Sequence, residues 1–574
     1  MKPITRLALI RSLAFALLAG TGFSQATQRV SLSSSGTEGD DESLFSALSA
    51  DGRIVAFESW ATNLVPGDGN GLVDVFVRDV LAQQTSCVSV TPGGAVGNSV
   101  SSGASISGDG RFVAFESLAS DLVAGDANNV TDIFVRDRLL GVTTLVSVAS
   151  NGLSSNSDSR EAAISVDGRF VAFESLATNL VPGDTNMQYD VFVHDRQTAQ
   201  TIRASLSAAG LQCGAGRHPS ISARGRFVVF VSGATDVVVP DGNLVDDAFV
   251  RDLLLGTTTR VSVSTAGVQA NQATGTTTAV SSDGRFVAFA SPASNLVSGD
   301  TDSNWDAFVR DLVTGETTCA SVDLTGAPAA GWSDLQGMSL DGRFVAFYSG
   351  AANVVPGDTN GVVDAFLRDR WAGQTTRVSV DALGGESNGN TDGMLSMSAD
   401  GRYVAFDSRA SNLVPGDANG VFDVFLRDRC STPVVFCSAK TNSLGCMPAI
   451  GSSGLPSASA GSGFTVTATQ VMSQQVGLFL YSLEAQAPSA FQGGWLCLRS
   501  PLQRTVAMNS GGNPPPRDCS GSLALDFNAH VASGVDPRLL AGVSVYGQMW
   551  SRDPGFAPPN HSNLTEALHA ILAP

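Results

Sequence analysis

The sequence predicts an all-β chain: a seven-bladed β-propeller closed by its own N-terminal strand, followed by a small β-sandwich-like domain. One observation is a segment of about 58 residues that occurs seven times, each copy holding four short strand-like stretches set between turn residues. The other is composition. Hydrophobic residues make up 43% of the chain, charged residues only 15%, and glycine 61 of 574 positions, a profile of short strands and tight turns rather than long helices.

Each copy is anchored by a run first seen as Asp51-Gly52-Arg53-Ile54-Val55-Ala56-Phe57. It returns as DGRFVAF at 109, 167, 283 and 341, as DGRYVAF at 400 and as RGRFVVF at 224. The spacings of 58, 58, 57, 59, 58 and 59 are too even for chance and long enough for four strands. In the second copy these are expected at Ala104–Ser107, Arg111–Ser117, Ile133–Asp137 and Thr143–Ala149, with turns at Gly108-Asp109-Gly110 and Leu140-Gly141. Four antiparallel strands per repeat make a propeller blade. The second strand brings Phe57, Phe115, Phe173, Phe230, Phe289, Phe347 and Phe406, the third Phe76, Phe134, Phe192, Phe249, Phe308, Phe366 and Phe425. Rings recurring once per strand are core, here filling the gaps between blades.

The seventh copy ends at Arg427-Asp428-Arg429 without a fourth strand, while Gln28-Arg29-Val30-Ser31-Leu32 matches the fourth strands Thr259–Val263 and Thr376–Val380. The N-terminus is therefore expected to close the ring and remove its exposed edges. The pattern SxDGRFVAFxS followed by DxFVRD resembles the TolB-type, WD-like propeller repeats of exported bacterial proteins over about residues 27–429. That resemblance implies the fold and leaves function open, because related propellers serve as protein-docking platforms, sugar-lyase scaffolds and peptidase gates.

Residues 1–26 have a basic start (Lys2, Arg6, Arg11), an apolar stretch from Leu13 to Ala19 and small residues before Thr27. They read as a cleavable signal peptide, which places the mature protein in the periplasm or outside the cell. No later stretch is apolar for long enough to span a membrane. With a net charge of −19 and lysine only at Lys2 and Lys440, nucleic acid is excluded as a partner.

The second-to-third strand and interblade connections run to about a dozen residues and are expected on one face, where a propeller most readily carries function. The second-to-third loop repeats the pattern Asp-x-Asn/Asp-x-x-x-Asp. It occurs as Asp68/Asn70/Asp74, Asp126/Asn128/Asp132, Asp184/Asn186/Asp190 and Asp241/Asn243/Asp247, then as Asp300/Asp302/Asp306, Asp358/Asn360/Asp364 and Asp417/Asn419/Asp423. Alternating oxygen ligands with a later carboxylate resemble part of a calcium loop, though the closing bidentate Glu is missing. The same residues also make local Asx turns, and both readings stand at this level. The Arg-Asp pairs and the DGR arginines are expected to form ion pairs between blades.

A catalytic group would be expected once, not once per blade. The sequence contains no G-x-S-x-G, H-E-x-x-H, P-loop or CxxC motif. His194 stands where other blades have arginine, and His218 falls in an interblade connection. From Cys430 the repeat stops, and residues 430–574 read as a β-rich domain with strands at Phe464–Val471, Gly477–Leu483, Leu523–Val531 and Val543–Tyr546. CSAKTNSLGC at 437, FQGG at 491, GGNPPP at 511 and CSG at 519 resemble a C-terminal module of secreted bacterial proteins to which no activity attaches. In an exported chain Cys437–Cys446 and Cys497–Cys519 are the disulfides expected, although spacing does not fix pairing. Cys87, Cys213, Cys319 and Cys430 are expected as free thiols.

The function expected is that of an exported, non-catalytic binding or scaffold protein whose long-loop face takes a protein or glycan. The alternative is a polysaccharide lyase or hydrolase built on the propeller funnel. No cofactor is implied beyond calcium.

Overall fold

The computed structural model describes residues 26–574 except 383, 430–433, 437–438, 455, 484–488, 492–493, 499, 540–542, 557–561 and 573–574. Residues 1–25, which hold most of the expected signal peptide, lie outside the described residues. Seven four-stranded antiparallel sheets follow one another along the chain. In blade two the strands are Ser101–Ile106, Phe112–Ser117, Asp132–Asp137 and Val142–Leu145. The fourth strand is shorter than the expected Thr143–Ala149, because the Val148 N–H donates back to the Val146 carbonyl and kinks the chain out of the sheet. The seven first strands lie against their neighbours in a closed circle and line the central channel.

Closure takes the expected form. Ala26–Arg29 pairs antiparallel with the third strand of blade seven, in register Ala26↔Asp428, Thr27↔Arg427, Gln28↔Leu426 and Arg29↔Phe425.

All fourteen phenylalanines are fully buried and stack as one pair per blade, with ring centroids 5.6–5.9 Å apart. The Phe57/Phe76 pair packs on Ala405, Val424 and Leu426 of blade seven, so the aromatic face of one blade meets the small aliphatic face of the previous one. Truncating one ring, as in Phe347→Ala, is expected to cost about 3–5 kcal/mol in denaturant unfolding, since a rigid blade interface closes poorly over a cavity.

The DGR glycine has two physical reasons. Gly284 sits at φ +75°, and a Cβ on it would lie 2.1 Å from the Phe227 ring of the preceding blade. The expected interblade ion pairs are corrected by the structure. Arg53–Asp79, Arg111–Asp137, Arg169–Asp195, Arg226–Asp252, Arg285–Asp311, Arg343–Asp369 and Arg402–Asp428 all join strands of one blade, because the turn before the second strand and the end of the third are adjacent in the sheet. The bonds that cross between blades come from the other arginine of the RD pair. Arg310 donates to the Ser264 carbonyl and Arg427 to the Asp381 carbonyl.

The C-terminal domain packs a sheet containing Val476–Ser482, Ser544–Arg552 and Ser562–Ile571 against a three-stranded sheet of Ala449–Ser453, Thr465–Val471 and Gly521–Asp526. Phe464, Val466 and Ala468 of one sheet meet Phe479, Tyr481 and Met549 of the other in a shared core. The strand expected over Leu523–Val531 stops at Asp526, whose side chain caps a helix, Phe527–Ala532, by accepting from the Ala529 N–H. Helical spacing brings Phe527 and Val531 onto one buried face. Both expected disulfides are replaced: Cys446 bonds Cys519, and Cys497 is also disulfide-bonded. Cys437 and Cys430 lie outside the described residues, and Cys87, Cys213 and Cys319 are free. The two halves of Cys446–Cys519 flank sheet strands far apart in sequence, which residue spacing cannot reveal.

Candidate functional site on the long-loop face and in the channel

The second-to-third loops and the interblade loops share one face and are tied together. The Asn98 N–H donates to Asp121 Oδ1, and the Asn98 amide to Ser120. Asn156 with Asn179, Asn271 with Asn295 and Asn388 with Asn412 repeat the tie.

Within each loop the last carboxylate, at Asp74, Asp132, Asp190, Asp247, Asp306, Asp364 or Asp423, is wholly buried. One of its oxygens accepts from a serine at the end of the fourth strand, as in Ser89 to Asp74 at 2.7 Å and Ser321 to Asp306 at 2.6 Å. Burial pushes Asp74, Asp190 and Asp423 up to about 6 and Asp306 to about 7. The asparagine of the pattern is a clip. Asn70, Asn128, Asn243, Asn360 and Asn419 donate to the last carboxylate of their own loop and to an interblade carbonyl, and Asn186 donates to the Cys213 carbonyl.

In four blades a buried arginine of the fourth strand bridges the first and last aspartates. Arg203 spans Asp184 and Asp190, Arg260 spans Asp241 and Asp247, Arg377 spans Asp358 and Asp364, and Arg29 of the closing strand spans Asp417 and Asp423. Blades one, two and five have Cys87, Leu145 and Cys319 at this position. Asp68 and Asp126 therefore face their partners Asp74 and Asp132 without a guanidinium. The fourth-strand arginines and the loop aspartates lie in separate stretches of each repeat. The signal joining them was the common repeat period.

The channel holds a second set of acidic groups that the sequence reading missed. Each first strand of blades one to four has a residue at positive φ, namely Phe45, Gly103, Glu161 and His218. There the backbone N–H turns away from the ladder and donates to a carboxylate from the second strand of the preceding blade. Phe45 donates to Asp407, Gly103 to Glu58, Glu161 to Glu116 and His218 to Glu174. Burial raises Glu58 to about 7, and Asp407 well above its usual range. Blades four and five have Val231 and Ala290 at the matching position, so the circuit is asymmetric. His218 lies in the channel strand Arg217–Ile221 rather than in a connection, and its Nδ1 is 2.7 Å from Glu161 Oε2. Glu161, Glu174 and His218 thus form a mixed acid and imidazole group on the channel wall. Burial acts to lower the His218 pKa, but the Glu161 hydrogen bond and charge outweigh it and the net shift is upward. His194, by contrast, fills the place of an arginine and bonds Thr201 as the arginines do.

Two tryptophans stand at the channel mouth on the long-loop face, each beside the start of a channel strand. Trp60 is 36% exposed and its backbone N–H donates to the Glu42 carbonyl, while Trp332, 41% exposed, directly precedes Ser333–Met338.

The ring of sheets, the central channel and the terminal strand that closes it define a seven-bladed β-propeller protein. No protein-family model matches the sequence, and no curated protein does. Among solved structures the chain is similar to the β-propeller domain of the Trilobed protease from Pyrococcus furiosus, at 11% identity and a TM-score of 0.42 over 68% of this chain and 95% of that one. It is similar also to oligogalacturonate lyase from Vibrio parahaemolyticus, at 12% identity and a TM-score of 0.42 over 71% and 97% of the two chains. TolB from Acinetobacter baumannii matches at 15% identity and a TM-score of 0.30 over 48% of this chain and 53% of that one, so the match spans about half of TolB. At these identities and TM-scores the likeness carries no argument about function.

Proposed function

We propose that this protein is an exported binding platform that takes a protein or glycan ligand on the long-loop face, at the mouth of the channel. The observation that supports this reading most is the pair of exposed tryptophans, Trp60 and Trp332, on loops tied to their neighbours where the Asp40 N–H donates to Asn63 Oδ1 and the Ala330 N–H to Asn353 Oδ1. Exposed aromatic faces backed by rigid loops offer contact area at little cost in conformational entropy. The net charge of −19 favours a neutral or basic partner over an acidic one.

The Glu161, Glu174 and His218 group supports a second reading, a polysaccharide lyase or hydrolase, because a carboxylate and an imidazole 2.7 Å apart can exchange a proton with a substrate in the channel. One experiment separates the two: glycan-array binding and polysaccharide product assays on the full chain, on the Trp60→Ala/Trp332→Ala double variant and on His218→Ala. A platform loses binding at least about tenfold in the tryptophan variant and forms no product in any form. Product that disappears in His218→Ala overturns the platform reading in favour of the enzyme.

A further inference from the structure

We propose that the second-to-third loop of blade five, alone among the seven, is a calcium site formed by Asp300, Asp302 and Asp306. Six loops keep an asparagine in the middle of the pattern, and its amide satisfies a buried loop carbonyl or carboxylate. Blade five has Asp302 there, which brings a third carboxylate and no donor. Four loops neutralise their aspartates with an arginine of the fourth strand, where blade five has Cys319. Blades one and two lack the arginine but keep the asparagine clip, and blade five has lost both.

The consequence falls on one atom. Asp306 is wholly buried, and its Oδ1 accepts from Ser321, but its Oδ2 has no hydrogen-bond partner among the described residues. In five other blades the matching Oδ2 receives an asparagine amide, and in blade three Asp190 Oδ2, which also lacks a hydrogen bond, lies 3.5 Å from Arg203 Nε, so blade five is the one loop in which neither an asparagine amide nor an arginine stands at this oxygen. Oxygens of Asp300, Asp302 and Asp306 lie within 4.8 Å of one another. That spread suits ligands about 2.3–2.6 Å from one cation, and an all-oxygen set of three carboxylates suits a hard ion such as calcium, with water and backbone oxygens completing the shell. The channel group of Glu161, Glu174 and His218 differs, because its members already satisfy one another. A guanidinium already occupies the cation position in blades three, four, six and seven.

The test is calorimetric titration of calcium chloride into the chelator-stripped full chain and its Asp302→Asn variant. That substitution installs the residue of the other six blades and is expected to fold. Terbium luminescence sensitised by Trp305, next in sequence to Asp306, gives a local readout. The expected result is one equivalent of calcium per chain, weakened at least about tenfold in Asp302→Asn because ligand charge sets affinity, with sensitised terbium emission lost in parallel. No uptake, or uptake unchanged in Asp302→Asn, overturns the proposal.

Discussion

Deleting residues 27–34 lowers the melting temperature of the propeller by an expected 10 °C or so, the largest effect anticipated for any small change to this chain. The segment supplies the fourth strand of blade seven and places Arg29 against Asp417, Asp423 and Glu38. It also delivers the Ser31 hydroxyl to Asp423. Without it, two aspartates lose their countercharge and a buried edge is uncovered. Stripping one partner from a buried ion pair costs about 3–5 kcal/mol before any pairing is counted. Arg29→Ala isolates that electrostatic share and should give an intermediate loss. Thermal unfolding of the three proteins decides the matter, and an unchanged midpoint in the deletion would refute closure by this strand.

The second large effect is a stability that falls as pH rises from about 4 to about 8. In the unfolded chain carboxyl groups ionise near 4. Burial holds Glu58 and Asp306 at about 7, Asp74, Asp190 and Asp423 at about 6, and Asp407 well above its usual range. Over that window the folded chain binds more protons than the unfolded one, so unfolding free energy declines with increasing pH. Asp79, Asp137 and Asp252 act the other way, because bidentate arginines depress them. Their contribution is present above about pH 4 and fades as the solution becomes more acidic. The sum is a maximum in mildly acid solution and a midpoint several degrees lower at pH 8 than at pH 5. Asp407→Asn keeps an acceptor for the Phe45 N–H and should make the decline with pH shallower. A melting temperature that is constant or rises from pH 5 to 8 sinks this account.

The repeat period, the phenylalanine core and the closing strand were legible because each is a one-dimensional pattern: even spacing, a ring per strand, a displaced copy of a fourth strand. Less legible was whatever depends on which residues the ring brings together. The carboxylates of Glu58, Glu116, Glu174 and Asp407 sit in a plain strand motif, and their partners are bulged amides one blade away. The sequence placed the DGR arginine pairs between blades, since spacing alone does not say that a turn and a strand end are neighbours in one sheet. Cys446–Cys519 escaped for the same reason. The loop aspartates were found as a repeat, but the distinction of blade five needed the fourth-strand residue set beside them.

A closing strand drawn from the opposite end of the chain is also an exchangeable part. Arg29 and Asp423 are almost four hundred positions apart, so the last contact of the ring is the one with the highest loop-closure cost and forms late. Until then the third strand of blade seven presents an open edge that any copy of Ala26–Arg29 fits equally well. Dilute refolding favours the strand tethered to the same molecule, whereas concentrated refolding lets two chains lend strands to each other and end as a swapped pair.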